Sequence, residues 1–271
     1  MTGPSIGSEK EGIALAQVHC NLFSYSLGYP VDIEVILPSF TSCNMGDPHT
    51  HALPAKFPVL YLLHGYGNDY QAWLRYTSIQ RYAEEHRIAV VTFSCHNKAY
   101  LNAPLGENFY DFLNSELPEF VENYFPISGE AKERYIAGLS MGGYGALLHG
   151  LQNPERYSAI GAFSPGIPEE NPKDEPNRIM RTDLYKVTRE ALEGGRRLPD
   201  LFMCIGDRDF LYERVTRYHE TFMPKWHSSR YRFDDLPNYE HEFAIWDKEV
   251  LAFLDWIKRE DVYKQMGKNK V

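Results

Sequence analysis

An open, mostly parallel β-sheet carrying helices, the α/β class, is the fold that this 271-residue sequence predicts. Three observations carry the prediction. Short apolar runs recur along the chain, and they are continuous rather than alternating, as strands covered on both faces require. Amphipathic helical segments separate them, which implies right-handed β-α-β crossovers. Ahead of these units lie two runs with alternating polarity, the signature of half-buried antiparallel strands.

In chain order, Ile13 to Phe23 and Tyr29 to Leu37 are the two alternating runs. A loop over 39–57 containing Pro, His and Gly follows. The buried strands are then expected at Val59–Leu63, Ile88–Phe93, Tyr135–Ala137, Ala159–Phe163 and Leu201–Ile205, with a weaker one at Tyr231–Phe233. Apolar residues from Phe109 to Tyr124 recur at helical spacing, and Pro118 within them predicts a kink or break. A second such helix runs from Trp246 to Ile257. The chain reads as one domain over 1–271, with 1–11 and 262–271 expected to fray. Residues 166–200, long and without a strand pattern, are a candidate small lid or a surface excursion carrying one helix.

Composition excludes several functions. Hydrophobic residues at 43% and charged residues at 24% are a globular balance. The formal net charge of −9 disfavours nonspecific contact with nucleic acid or an anionic membrane. No apolar stretch approaches the roughly 18 residues of a membrane span, and Met1–Glu11 reads as no secretory signal. Cys20, Cys43, Cys95 and Cys204 are too few and too scattered for a disulfide scaffold or a zinc site. The expected setting is cytoplasmic, with self-association left open. His49-Thr50-His51 near Asp47 has ligand-like spacing, but a metal site lacks a clear third ligand, so no metal and no cofactor is expected.

Chemistry is carried by Gly138-Leu-Ser140-Met-Gly142, which follows a strand run and opens a helix. Gly-x-Ser-x-Gly in that context is a nucleophile elbow. Its serine sits on a tight turn, and the flanking glycines let strand and helix approach closely. Met141 begins the helix, so its N–H is unpaired and suited to a developing oxyanion. A second oxyanion donor is expected from the glycine-rich turn after Val59–Leu63, where the N–H of Tyr66 is the candidate. His64 in that turn reads as a structural residue that holds the loop by hydrogen bonds. A base is expected after the last strand, and His241 occupies that slot. Asp207 and Asp209 both stand at the end of a late strand, and spacing alone does not choose between them. Tyr66, Trp73 and Tyr144 are either acyl-pocket walls or ordinary core.

Tyr61-Leu-Leu-His-Gly-Tyr-Gly-Asn-Asp69 with Trp73, Glu116-Leu-Pro118 and Ile136-Ala-Gly-Leu-Ser-Met-Gly-Gly-Tyr-Gly-Ala146 together resemble the esterase D-type esterases of the α/β-hydrolase superfamily. Within that group the chain is most similar to bacterial tributyrin esterases. S-formylglutathione hydrolases and acetyl-xylan or feruloyl esterases are relatives. The resemblance spans about residues 13 to 257. It implies the α/β-hydrolase fold, with N-terminal antiparallel strands and helices on both faces, and hydrolysis of short-chain acyl esters through Ser140, His241 and an acid. The family's Gly-x-x-Asp-x-Leu pattern falls on Gly206 to Leu211 and places that acid at Asp209. It also implies Tyr66 and Met141 as oxyanion donors. A carbohydrate acetyl or feruloyl ester, acyl transfer, and a non-catalytic binding module are the alternatives. Gly67-Asn68-Asp69 stands where S-formylglutathione hydrolases carry a Thr-Cys pair, which weighs against a glutathione thioester.

Overall fold

A computed structural model describes residues 15–38, 52–104, 106–169 and 182–268. The stretch 1–11 expected to fray and the His49-Thr50-His51 segment lie outside the described residues.

Eight strands form one sheet in the order β1-β2-β4-β3-β5-β6-β7-β8. β1 (Ala16–Ser24) and β2 (Tyr29–Leu37) make an antiparallel hairpin. β2 also runs antiparallel to β4 (Ala89–Phe93). All further pairings are parallel, through β3 (Val59–Leu63), β5 (Arg134–Leu139), β6 (Ala159–Phe163), β7 (Asp200–Gly206) and β8 (Tyr231–Leu236). The sheet is therefore mostly parallel with an antiparallel N-terminal edge, the α/β-hydrolase architecture.

Helices cover both faces. α1 (Ala72–Tyr76) and α2 (Ile79–His86) follow β3. α3 (Phe109–Asp111) leads into α4 (Leu117–Tyr124), and α5 (Met141–Gln152) follows β5. α6 (Leu184–Glu193), α7 (Tyr212–Phe222), α8 (Phe243–Trp256) and α9 (Val262–Gln265) follow among the described residues. The period of two along each strand divides the core. Val59, Tyr61 and Leu63 face one layer with α5 residues such as Leu147 and Leu148, and Leu60 and Leu62 face the other with Val250 and Phe253 of α8. This two-sided burial is why the strands read as continuous apolar runs.

Pro118 does not break its helix. A π-helical turn over Phe112–Glu116 stands immediately before it and helical geometry continues to Tyr124; widening the preceding turn accommodates the missing N–H and the ring. Glu116 at that turn accepts hydrogen bonds from Ser24 Oγ (2.8 Å), Tyr25 N–H (2.7 Å) and Ser26 N–H (2.9 Å), which locks the β1–β2 turn. Burial alone would raise its pKa, but these donors hold it below the usual value.

Within 262–271, the segment expected to fray, Val262–Gln265 is helical. The Asp261 carboxylate caps that helix at the Lys264 N–H, and buried Tyr263 stacks on Phe57 at 4.6 Å. Packing supplies an order that the polar composition there did not suggest. Of 166–200, the described part includes α6, whose Leu184, Val187 and Ala191 join the main core.

Candidate active site

Ser140 lies between β5 and α5 with φ 53° and ψ −115°, a strained conformation for a residue bearing a side chain. Neighbouring contacts hold it there. Its N–H donates to Phe163 O (2.9 Å), and its carbonyl accepts from Tyr144 N–H (3.0 Å) and Gly166 N–H (2.9 Å). Two glycines make the turn sterically possible. A Cβ on Gly138 would stand 2.5 Å from the Gly142 carbonyl, and one on Gly142 would stand 2.4 Å from Leu63 O. The elbow is thus pressed against the end of β3, where a Cβ on Gly65 would reach within 3.4 Å of Ser140 Cβ.

That contact sets the turn after β3, which carries Tyr66, against the turn of Ser140 and Met141. Met141 is the first residue of α5, so its N–H has no intrahelical acceptor. His64 holds the β3 turn with both ring nitrogens. Nδ1 contacts Gly65 O at 2.7 Å, and Nε2 accepts the Cys95 N–H at 2.9 Å. The ring is therefore the neutral Nδ1–H tautomer, and burial lowers its pKa. Tyr100 OH donates to His64 O, fixing the same turn from below.

On the opposite side of Ser140, the loops after β7 and β8 are laced together. Asp207 N–H donates to Leu236 O (3.0 Å), and Arg208 N–H to Tyr239 O (3.0 Å). The Asp207 carboxylate accepts the Asn238 N–H at 2.7 Å. Gly206 permits this approach, since a Cβ there would come 2.3 Å from Tyr239 O. Asp209 is buried, and its Oδ2 lies 2.7 Å from His241 Nδ1. Its Oδ1 accepts the Leu211 N–H at 2.9 Å, leaving one oxygen aimed at the imidazole. So the structure joins Asp209 to His241 and commits Asp207 to the loop backbone.

The His241 imidazole and the Ser140 backbone share an anchor at the end of β6. Trp246 stands edge-on to the His241 ring, with centroids 4.9 Å apart, and its indole N–H donates to Ser164 Oγ (3.1 Å). Ser164 directly follows Phe163, the acceptor for Ser140. Ser140 Oγ is not hydrogen-bonded to His241 in this structure. Contacts of this kind are often long before substrate binds.

Trp73 and Tyr144 are core residues. Both are fully buried, with the Trp73 indole N–H bonded to Leu63 O and the Tyr144 hydroxyl accepting the Thr182 N–H. Tyr66 is exposed. Sequence reasoning missed the Trp246–Ser164 link and the ring of Phe210, 4.6 Å from that of His241. Phe210 carried a signal in standing next to the candidate acid. Trp246 carried none beyond helical periodicity.

Residues 40–175, half of the chain, match the family model described as "Putative esterase". The chain belongs to this esterase family. Among curated proteins, this esterase is 28% identical over 224 residues to an acetyl esterase of Caldicellulosiruptor saccharolyticus, covering 74% of this chain and 83% of that one. Among solved structures, a fluorophosphonate-binding serine hydrolase of Staphylococcus aureus aligns with a TM-score of 0.78 and 27% identity, over 91% of this chain and 99% of that one. An S-formylglutathione hydrolase of the same organism aligns at 0.76 and 28%, over 90% and 98%. A ferulic acid esterase at 22% identity and a TM-score of 0.72 shares the fold. The esterase is a carboxylic ester hydrolase. Among its described residues no helix is long and apolar enough to cross a membrane, and no group of His, Cys, Asp and Glu is placed to hold a metal ion.

Proposed function

We propose that this esterase is a serine carboxylesterase acting on short-chain acyl esters through Ser140, His241 and Asp209. The observation that carries the reading is the 2.7 Å Asp209–His241 contact beside a serine held at φ 53°. His241 Nε2 takes the Ser140 proton as Oγ attacks the ester carbonyl. Asp209 holds Nδ1–H and stabilises the imidazolium. The N–H groups of Tyr66 and Met141 bind the tetrahedral oxyanion, each worth about 3 kcal/mol at good geometry. The alcohol departs with the proton from His241, and water then hydrolyses the acyl-enzyme by the same route.

Similarity to an acetyl esterase supports a short acyl group. A second reading, a thioester of the S-formylglutathione kind, is favoured by the solved relative of that name. The turn sequence Gly67-Asn68-Asp69 weighs against it. Carbohydrate acetyl and feruloyl esters are alternative alcohol and acyl partners. We place the enzyme in the cytoplasm, a setting that suits the unpaired thiols of Cys20, Cys95 and Cys204.

Initial rates on p-nitrophenyl acetate, butyrate, octanoate and decanoate test the proposal, with S-formylglutathione in parallel and Ser140→Ala as control. Serine-dependent turnover that falls beyond butyrate is expected. A preference for the thioester, or for the long chains, replaces the reading.

A further inference from the structure

We propose that the Phe210 ring is the wall of the leaving-alcohol site, so that this esterase selects esters of aryl or apolar alkyl alcohols. The assignment rests on the serine-esterase reading above. In acylation the carbonyl C–O bond breaks, its electron pair leaves on the alcohol oxygen, and His241 Nε2–H supplies the proton. The alcohol must therefore lie on the His241 side of the reacting carbon, while the acyl chain remains on Ser140. Whatever lines the open side of the imidazole lines the alcohol site.

Among the described residues two aromatic rings meet that imidazole, and they differ in character. Trp246 is 4% exposed, and its N–H is spent on Ser164, so it is a buried floor. Phe210 lies tilted against the ring at 4.6 Å and yet is 76% exposed. A phenyl ring left in water gains little for folding. The backbone that carries the ring is pinned on both sides. Asp209 N–H donates to Gly206 O and Tyr212 N–H to Asp209 O, while the Asp209 carboxylate holds the Leu211 N–H. Asp209 and Leu211 point inward and are buried, which turns Phe210 outward over His241. The adjacent guanidinium of Arg208 donates one of its N–H groups to Asn238 Oδ1. The Phe210 ring offers an incoming alcohol group an apolar, planar surface, suited to stacking or to aliphatic contact.

Phe210→Ala and Phe210→Leu are compared with wild type on methyl, hexyl and phenyl acetate. These share one acetyl-enzyme, whose hydrolysis is timed separately by rapid mixing. The expected result is a loss of about tenfold in kcat/KM on phenyl and hexyl acetate relative to methyl acetate for the alanine variant. The leucine variant should recover most of the hexyl rate but not the phenyl rate. Hydrolysis of the acetyl-enzyme should stay within about twofold, because the alcohol has gone by then. Equal slowing of both half-reactions overturns the assignment and makes Phe210 a positioning residue for His241. Unchanged ratios across the three alcohols overturn it also. Should the alanine variant fail to fold, the leucine variant decides by the same ratio of phenyl to hexyl ester. If wild type forms no Ser140-dependent acetyl-enzyme, the serine-esterase reading itself falls, and the assignment with it.

Discussion

His64 directly follows β3 and His241 lies in the loop after β8, and their ring nitrogens separate them. Both nitrogens of His64 are spent on backbone groups, Gly65 O and the Cys95 N–H, and burial lowers its pKa. At His241, among the described residues, only Nδ1 is engaged, by the buried Asp209 carboxylate. A histidine with every hydrogen-bonding site satisfied by the main chain is a loop brace. One oriented by a carboxylate at Nδ1, and with a further nitrogen for a proton, is equipped as a base. The difference is in the partners and not in the residue type or its place at a strand end.

The strongest break of this comparison is removal of the groups assigned to chemistry. Ser140→Ala and His241→Ala should each lower kcat by roughly 10⁵- to 10⁶-fold while leaving the melting temperature nearly unchanged. Steady-state rates with circular dichroism melts check this, and a His241→Ala enzyme with a few per cent of wild-type activity would remove it as the base. Next comes the carboxylate. Asp209→Asn is expected to cost roughly 10⁴-fold in kcat, because an amide stabilises the wrong imidazole tautomer. Asp207→Asn, which keeps an acceptor for Asn238 N–H, should cost no more than a few-fold. Reversed effects would exchange the two assignments.

His64→Gln sharpens the comparison from the other side. Leaving the Cys95 N–H or Gly65 O without its partner should destabilise the protein by about 1–3 kcal/mol, read by urea titration. Turnover should fall less than for His241→Ala. Its pH dependence gives an additional sign. Native His64 has a pKa below the ordinary 6.5, so below that pH the unfolded chain binds a proton that the native state refuses. Wild-type stability therefore falls as the pH drops through this range, and the gap between wild type and His64→Gln should narrow in acid.

The smallest effect concerns α8, the helix that follows His241. Glu249 on this helix is buried, with Oε2 unpartnered among the described residues. Burial, then the charge and hydrogen bond of Asp234, push its carboxyl up to about 7. An unfolded glutamate near 4.5 releases its proton first, so stability contributed by the protonated form is lost as the pH rises from about 4.5 through 7. Glu249→Gln should thus gain in melting temperature relative to wild type at pH 8 compared with pH 5. A constant difference across that range would deny the shift.

Much of this molecule is written locally. The parallel strands show as continuous apolar runs because both their faces are covered, and β1 shows as alternation because its faces are not equally covered. β2 also alternates in sequence, yet Ile33 to Ile36 are buried on both faces because it lies inside the sheet between β1 and β4. The elbow at Ser140 shows because a strained turn between strand and helix needs glycine at 138 and 142, whatever lies elsewhere. Those features depend on backbone sterics and side-chain period, which act over a few residues. Tertiary structure decided what depends on packing between distant segments. It ordered the strands so that β4 lies between β2 and β3, and it carried the helix through Pro118 by a π turn. It set Asp209 against His241, 32 residues away, and turned Asp207 to the loop backbone. It also put the Phe210 ring over the imidazole and the Glu249 carboxyl of α8 beside Asp234 of β8. Sequence spacing cannot express such choices, since two aspartates two residues apart differ only in what the folded loops bring to meet them.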